Sequence, residues 1–510
     1  MRRVRFRLFR RLFHHRRPGL DDRQPSMTIS GSGATRLGAA VLPLTAQHPG
    51  RSGVTVLRDG RNAFAARALL ADAAERTLDI QYYIWRNDMS GTLLMEAVRR
   101  AAERGVRVRL LLDDSNTHGL DALLAALDTH PNIEVRLFNP FFRRRWRWLG
   151  YLTDFARLNR RMHNKSFTAD GLVTIVGGRN VGDEYFDAGA ELSFYDLDVL
   201  AIGPVVADVA ADFDRYWACD AAYRADRVLP RANRASLRTV RLAAETVELA
   251  PAARSYVDAL ESSAFVRDLL DARLPFEWAA THLVSDDPAR ALRHRRHPRS
   301  ERQPVSARLA AIAGDARTTL HVISPYLVPT RHGVAALRAL IARGVAVSAL
   351  TNSLEATDHA IVHAGYARRR RELLAAGVTL YEMKRIAPRP RGRRRHRRGS
   401  ARTGLHAKTF ATDHARMFVG SFNFDPRSAL LNTEMGVVID SPALARDVAT
   451  AFALDIPERS YRLRLDAAGR IQWVEQLDGA EVVHTHEPGT TPWLRLGVAL
   501  LALLPIEGLL

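Results

Sequence analysis

A chain of 510 residues is too long for a single hydrophobic core and predicts two or more domains, and its 47% apolar and 25% charged content is that of an ordinary globular protein. The lone cysteine, Cys219, excludes an internal disulfide framework. The formal charge of +20 is concentrated in two places: residues 2–17 hold eight arginines and residues 385–402 hold nine, neither stretch with an acid, so the body of the chain is close to neutral. Two local basic devices point to an anionic partner, a membrane surface or a nucleic acid, with solvated arginine-rich tails as the alternative on composition.

Residues 1–17, MRRVRFRLFRRLFHHRR, have no apolar core and no small-residue cleavage site, so a secretory signal is not expected. As a helix they place Val4, Leu8, Phe9, Leu12 and Phe13 along one stripe among arginines, a basic amphipathic pattern suited to an anionic bilayer. Residues 18–53 are rich in Gly, Ser and Pro and read as a linker. A first domain is expected over 54–225. It contains a strand at TLDIQYYIW (77–85), a helix ending at Gly105, a strand at 106–114 and a later strand at NIEVRLF (132–138).

Residues 226–300 mix helical stretches with a basic, proline-containing segment and read as a connecting region. The earlier order then returns over 301–460: a strand at TLHVISPYLV (319–328), a helix ending at Gly344, a strand at 345–353 and GVTLYEM (377–383). The fold class is therefore α/β, with two related halves built on mainly parallel sheets. An offset of about 240 residues is that of a duplicated domain, not of a solenoid. Residues 461–510 read as a short hairpin followed by an apolar run, Leu496 to Ile506, too short to span a membrane and suited to a buried helix or to interfacial insertion.

The halves also share a motif. HNKSFTADGLVTIVGGRN carries His163, Lys165, Asp170, Gly177, Gly178 and Asn180; HAKTFATDHARMFVGSFN carries His406, Lys408, Asp413, Gly420, Ser421 and Asn423, at identical spacing. The chain has three lysines against 72 arginines, and two of the three stand in these motifs, where a compact ammonium is wanted rather than a planar fork. On a strand, residues two apart face the same way, so each His projects beside its Lys; the Asp turns the chain, and the returning strand delivers the Asn. Imidazole, ammonium and amide on one surface suit a phosphate. Phosphodiester chemistry needs a nucleophile and an acid, and two facing halves supply one histidine each. No cysteine cluster, HExxH or acidic loop accompanies the motifs, so neither metal nor cofactor is expected; His359 and His363 have helical metal-ligand spacing but lack a third ligand.

These paired motifs resemble those of the phospholipase D superfamily. The second, LHAKTFATDHARMFVGSFNFDPRSALLNTEMGVVID, is similar to the bacterial cardiolipin synthase version, and the ending resembles that of the C-type, which lacks N-terminal transmembrane helices. The resemblance implies a pseudo-twofold pair of phospholipase D-like α/β/α halves with the active site at their interface. It implies His163 as the nucleophile that forms a phosphohistidine and His406 as general acid and then base. Lys165, Lys408, Asn180 and Asn423, with Ser421, would hold the phosphoryl oxygens, and Glu434 and Asp196 would back His163 and His406 from the opposite half. Asp170 and Asp413, the acids of the motifs, are read as structural.

The implied activity is transfer of a phosphatidyl group to make cardiolipin from phosphatidylglycerol plus phosphatidylglycerol or phosphatidylethanolamine. Hydrolysis to phosphatidic acid is the alternative, and a metal-independent nuclease a weaker one. The arginine-rich stretches before each motif, FFRRRWRW (141–148) and RPRGRRRHRR (389–398), could flank the mouth of the site, and the first fits a lipid headgroup interface or stacking on single-stranded nucleic acid. With the amphipathic start and apolar end, they favour an anionic phospholipid membrane over nucleic acid as the partner, and a peripheral location on a bacterial cell membrane.

Overall fold

A computed structural model describes residues 19–20, 25–29, 31–187, 192–292, 302–385, 402–477 and 479–504. The readings made on residues 1–17, on all but the ends of the arginine run 385–402, and on the last residues of the apolar tail lie outside these. Within them the halves are built alike. The first contains β1 (Ser52–Leu57), β2 (Thr77–Tyr82), β3 (Arg107–Asp113), β4 (Ile133–Phe138), β5 (Ser166–Ala169), β6 (Val173–Gly177), β7 (Leu192–Tyr195), β8 (Asp198–Ile202) and β9 (Ala222–Arg224). The second contains β10 (Glu277–Ser285), β11 (Thr319–Ile323), β12 (Ala346–Asn352), β13 (Thr379–Met383), β14 (Arg402–Leu405), β15 (Thr409–Thr412), β16 (Arg416–Gly420) and β17 (Met435–Asp440), followed by β18 (Ser460–Leu465), β19 (Ile471–Leu477) and β20 (Ala480–His484).

A parallel trio lies at the heart of each half, β2-β3-β4 and β11-β12-β13. Antiparallel strands extend each trio: β5, β6, β8 and β1 in one, β15, β16, β17 and β10 in the other. β1 then pairs antiparallel with β10, Gly53 opposite Trp278, and joins the half-sheets into one sheet of 18 strands. Since β1 and β10 hold equivalent places in the repeat, this pairing lies on the pseudo-twofold axis. The second half thus begins at β10, inside the stretch read as a connecting region. Ahead of it in that stretch, the helices Ser236–Glu248, Arg254–Ser262 and Phe265–Leu270 pack on the helices of the first half.

Local chemistry explains the helices of the repeat. Asp59 caps Gly60–Ala73 through Asn62 N (2.8 Å), Asp88 caps Met89–Glu103 through Gly91 N (3.0 Å), and Thr330 caps Arg331–Ala342 through Gly333 N (3.3 Å). Gly105 (φ 97°) and Gly344 (φ 90°) take the left-handed conformation that ends two of them. A further sequence expectation is corrected: the linker reading of 18–53 overlooked the helix Arg36–Ala46. Thr35 caps it, and Leu37 and Val41 are buried against the first core, which outweighs its internal Pro43.

Each half has its own core. Leu78, Ile80, Leu110 and Phe167 are central to the first, and Leu320, Val322, Phe410 and Phe418 to the second. A third cluster crosses between them, joining Val54, Val199 and Ala201 to Val419, Val437 and Ile439. The halves are therefore held face to face by buried apolar surface as well as by the β1–β10 pairing. At the end of the chain, β18, β19 and β20 form an antiparallel meander rather than a simple hairpin. The helix Pro492–Leu501 follows; among the described residues no helix is long and apolar enough to cross a membrane.

Candidate active site

The two motif histidines arrive by equivalent routes. β14 of the second half pairs in parallel with β7 of the first, Leu405 opposite Tyr195, and the next residues are His406 on one strand and Asp196 on the other. Tyr195 O accepts from both His406 N (2.8 Å) and Ala407 N (2.9 Å), and the Asp196 carboxylate meets His406 Nδ1 at 2.5 Å. The counterpart is shorter. Met162 forms a single parallel bridge with Thr433, His163 N donates to Thr433 O (2.9 Å), and Glu434 lies 2.8 Å from His163 Nδ1. Each imidazole is thus backed by a carboxylate of the opposite half, which engages Nδ1 and leaves Nε2 for the cavity side.

Both histidines line one cavity of about 710 Å³ between the halves. Asn180 and Asn423 line it too, and each retains a buried polar atom without a hydrogen bond, Nδ2 of Asn180 and Oδ1 of Asn423. Asn180 is oriented by Ile84 N, which donates to its Oδ1 (3.2 Å). The lysines sit deeper. Lys165 and Lys408 are buried beneath the histidines, and each ammonium donates to the carbonyl oxygen of the histidine two residues back; Lys408 Nζ also lies 2.9 Å from His406 Nδ1. Their charge reaches the cavity through a poorly screened interior.

Asp170 and Asp413 are remote from this chemistry. Asp170 (φ 54°) makes the left-handed turn after β5 and accepts from three successive backbone groups, Glu75 N, Arg76 N and Thr77 N, at the start of β2. Asp413 (φ 55°) does the same for Arg317, Thr318 and Thr319 at the start of β11. Each acid ties its motif hairpin to the neighbouring strand and so fixes the histidine by way of the backbone.

The supporting carboxylates differ. Ser421 Oγ donates to Glu434 Oε2 (2.5 Å), and Asn432 Nδ2 approaches Oε1 (3.4 Å). At the matching place in the first half stands Gly178, where a Cβ would lie 2.1 Å from Asp196 Oδ1; only glycine lets that carboxylate approach. The electrostatics diverge as well. Burial pushes the Glu434 carboxyl up to about 7, against Lys165 and the hydrogen bonds of Ser421, Ser428 and Asn432. Burial acts on Asp196 in the same sense, but the charge and hydrogen bond of His406, then Lys408 and Arg179, outweigh it and hold that carboxyl below its usual range. Burial, then Lys165, Lys408 and His406, hold the His163 imidazole well below its ordinary value; burial and Lys408 lower His406 against the pull of Asp196. Burial lowers Lys165 well below the usual lysine range, and lowers Lys408 to about 8. Burial disfavours the charged form of all four groups, and an anion bound among them would favour it again, so the cage is suited to receive one.

Several neighbours carry no sequence signal of their own. The Tyr83 ring meets His163 edge-on (4.7 Å), Tyr185 meets His406 likewise (5.0 Å), and Phe194 lies 5.2 Å from His406. Asp286 clasps the Glu434 backbone from both sides, accepting from its N (3.0 Å) and donating to its O (2.9 Å). Among the described residues no three His, Cys, Asp or Glu side chains are grouped to hold a metal ion. His363 instead joins a buried cluster with Glu487 (3.1 Å) and Arg370 (2.9 Å), while His359 faces the cavity. Lys384, the third lysine, pairs with Glu475 (2.8 Å) away from the site. The stretch 141–148 is part anchor: Arg144 and Arg147 are bound to Asp121, and Arg144 also to Asp114, while Trp146 and Trp148 are exposed.

The chain matches the family model "Cardiolipin synthase, PLD-like domain" twice, over residues 68–217 and 309–456. It is 52% identical to cardiolipin synthase C of Escherichia coli (strain K12) over 93% of this chain and the whole of that protein. It is 25% identical to cardiolipin synthase A of Pseudomonas putida (strain W619) over 83% of this chain and 72% of that one. The crystal structure of phosphatidylserine synthase from Haemophilus influenzae Rd KW20 superposes with a TM-score of 0.53 at 12% identity, covering 81% of this chain and 88% of that one, a likeness of fold.

Proposed function

The chain belongs to the cardiolipin synthase family of phospholipase D-like proteins, and from that premise we propose that it is a phosphatidyl transferase joining two phospholipids into cardiolipin through a histidine-bound intermediate. The observation that carries the reading is one cavity lined by both His163 and His406, each backed by a carboxylate of the opposite half.

In this reading His163 Nε2 attacks the phosphorus of one phospholipid, phosphatidylglycerol or phosphatidylethanolamine. The bond from phosphorus to the headgroup oxygen breaks, and His406 Nε2 gives that oxygen its proton. A hydroxyl of a phosphatidylglycerol then attacks phosphorus, returns a proton to His406 and frees His163. The products are cardiolipin and the free headgroup alcohol. The anionic phosphodiester favours the charged form of each surrounding cation, so His406 enters as imidazolium, steadied by ionised Asp196. Neutral His163 is the better nucleophile, in keeping with its lowered proton affinity. Asn180 and Asn423, with the buried charges of Lys165 and Lys408, stabilise the phosphoryl oxygens as charge develops.

The enzyme works as a peripheral membrane protein on an anionic bacterial membrane. The helix Arg147–Leu158 exposes Trp148, Phe155 and Leu152 (75% exposed), and the helix Pro492–Leu501 exposes Trp493 (81%), Leu496 and Leu500. Both stand by the cavity. Arg147 donates to Asp114 O beside the cavity residue Asn116, and Asn159, just past the first helix, accepts from the cavity residue Arg427 (2.9 Å). The second helix packs on Ala360–Ala376, whose Ile361 and Val362 line the cavity. Such aromatic and aliphatic side chains fit the headgroup level of a bilayer, and the arginines of residues 2–17 add attraction to anionic lipid.

The test is to incubate the protein with phosphatidylglycerol vesicles, with and without phosphatidylethanolamine, and to separate the lipids. Cardiolipin with release of glycerol or ethanolamine is the expected product. Phosphatidic acid alone would replace transfer by hydrolysis, and untouched lipids with cut single-stranded DNA would replace both by a nuclease.

A further inference from the structure

The two halves differ in one place that the chemistry does not use. In the first half, the helices Gly60–Ala73 and Met89–Glu103 pack directly on each other, and Phe64, Leu94 and Leu110 between them and the sheet are fully buried. In the second half an apolar cavity of about 450 Å³ separates the equivalent helices, Val305–Gly314 and Arg331–Ala342. Aligning the copies on Thr77 with Thr319, and on Gly105 with Gly344, places Ser306 at the position of Phe64, Gly333 at that of Leu94 and Ala349 at that of Leu110. All three replacements are smaller and all three line the cavity. Leu337 and Leu340 are larger than their counterparts Val98 and Ala101 but stand along the wall without closing it. The first pair is further covered by the helices of residues 236–270, for which the described part of the second half has no counterpart.

Protein interiors are close-packed, and an apolar cavity of roughly a third of this volume already binds a small hydrocarbon. The floor, Leu320, Val322, Val347 and Ala349, offers an occupant no polar group, and the gap opens to the surface between the exposed Ala310 and Ala336. Its position narrows the choice of occupant. One wall is the segment 422–426, a single pass of the chain: Phe422 and Phe424 line this cavity, Asn423 between them lines the one that holds the histidines, and Asp425 borders both. An apolar slot thus lies back to back with the phosphoryl site. We propose that the slot takes one acyl chain of the phospholipid substrate. This rests on the phosphatidyl transferase reading, and gives the second half a lipid-holding role that the first half, with its space filled, lacks.

The experiment restores the first-half residues in the second half, as Ala349→Leu and Gly333→Leu, singly and together. None of these positions touches the reacting groups. Activity is compared on dioleoyl and dihexanoyl phosphatidylglycerol in mixed micelles. Filling the slot is expected to lower kcat/KM for the long-chain lipid about tenfold or more, the scale of a few buried methylenes, and to leave the short-chain lipid within about twofold. A second readout does not depend on turnover. Phosphatidylglycerol with a diazirine near the end of one acyl chain should crosslink to residues 305–314 and 331–342 of the unaltered protein, and not to those of the filled variants. An unchanged long-to-short ratio, crosslinks elsewhere, or a change of oligomeric state on filling with crosslinks unaltered would each overturn the proposal, the last by assigning the slot to a second copy. Failure of the unaltered protein to make cardiolipin from either lipid would instead strike the transferase reading, with the crosslinks still reporting on the slot.

Discussion

The half-sites around His163 and His406 carry the same motif at the same spacing, yet the carboxylates behind the two rings are held in opposite senses. Glu434, longer by a methylene, is pushed up to about 7 by burial even though Ser421 donates to it; Asp196, seated over Gly178, is held below the ordinary carboxylate range by His406, Lys408 and Arg179. In a symmetric pair only the orientation of the bound substrate could tell nucleophile from acid. Here Asp196 pulls His406 toward its charged form, though burial and Lys408 still lower it, while burial and the two lysines hold His163 well below its ordinary value; the pull on His406 accords with the proposed role of acid, and the lowered His163 with that of nucleophile. What the contrast teaches is that duplication supplies two copies of a constellation whose buried surroundings still differ: burial wins at Glu434 despite Lys165 and Ser421, and loses at Asp196 to His406, Lys408 and Arg179.

The strongest way to break the comparison is to remove one ring. His163→Ala should lower kcat by about 10⁴ or more and abolish the covalent intermediate, as expected when one member of a unit that acts together is lost. Next comes Glu434→Gln. The amide donates to Nδ1 and forces the proton onto Nε2, the tautomer that cannot attack, so kcat/KM should fall by about 10³–10⁴ in a steady-state assay. Asp170 and Asp413 sharpen the contrast at the level of stability. The three amides on Asp170 lie at the start of a buried strand, those on Asp413 nearer solvent. Asp170→Ala should cost about 2–3 kcal/mol and Asp413→Ala less than about 1 kcal/mol, read from thermal unfolding.

The next prediction concerns pH. A carboxyl raised to about 7 is ionised only above that value, and only the ionised form accepts from His163 Nδ1 and leaves Nε2 free. kcat/KM should therefore rise with pH through about 7 and be lost below it. Ser421→Ala removes a donor that favours the ionised form, so the acid limb should move to higher pH, by up to about one unit. The smallest effect is at the turns. Gly171 in one copy and His414 in the other both take left-handed backbone (φ 65° and 50°). His414→Gly should raise stability by about 1 kcal/mol, and the same class of change has no counterpart to offer at 171.

The sequence was most legible where structure is local. A His-x-Lys strand, an Asp turn and a returning strand lie within a few residues of one another, so their spacing alone reads as one surface. Asp196 and Glu434 could be reached only through resemblance, because their placement depends on β7 meeting β14 and Met162 meeting Thr433 across halves. Spacing along a chain carries no record of such pairings. The same holds for Tyr83, Tyr185 and Asp286. The Arg36–Ala46 helix was hidden by the Gly and Ser around it, and β10 by the basic segment that follows. The depth of the lysines was also invisible: alternation on a strand predicts which face a side chain takes, not that its ammonium folds back onto the backbone carbonyl beneath the ring.

The central claim is that two halves build one phosphoryl-transfer site in which the first histidine takes the phosphatidyl group and the second moves the proton. The direct measurement is to quench the reaction with phosphatidylglycerol at early times and map the acid-labile phosphatidyl adduct by peptide mass spectrometry, in the unaltered protein and in His406→Ala. The account predicts the adduct on His163 in the unaltered protein, and in His406→Ala the same position at a strongly reduced rate, since the acid that releases the headgroup is gone. An adduct on His406, or full adduct yield in His163→Ala, would contradict it.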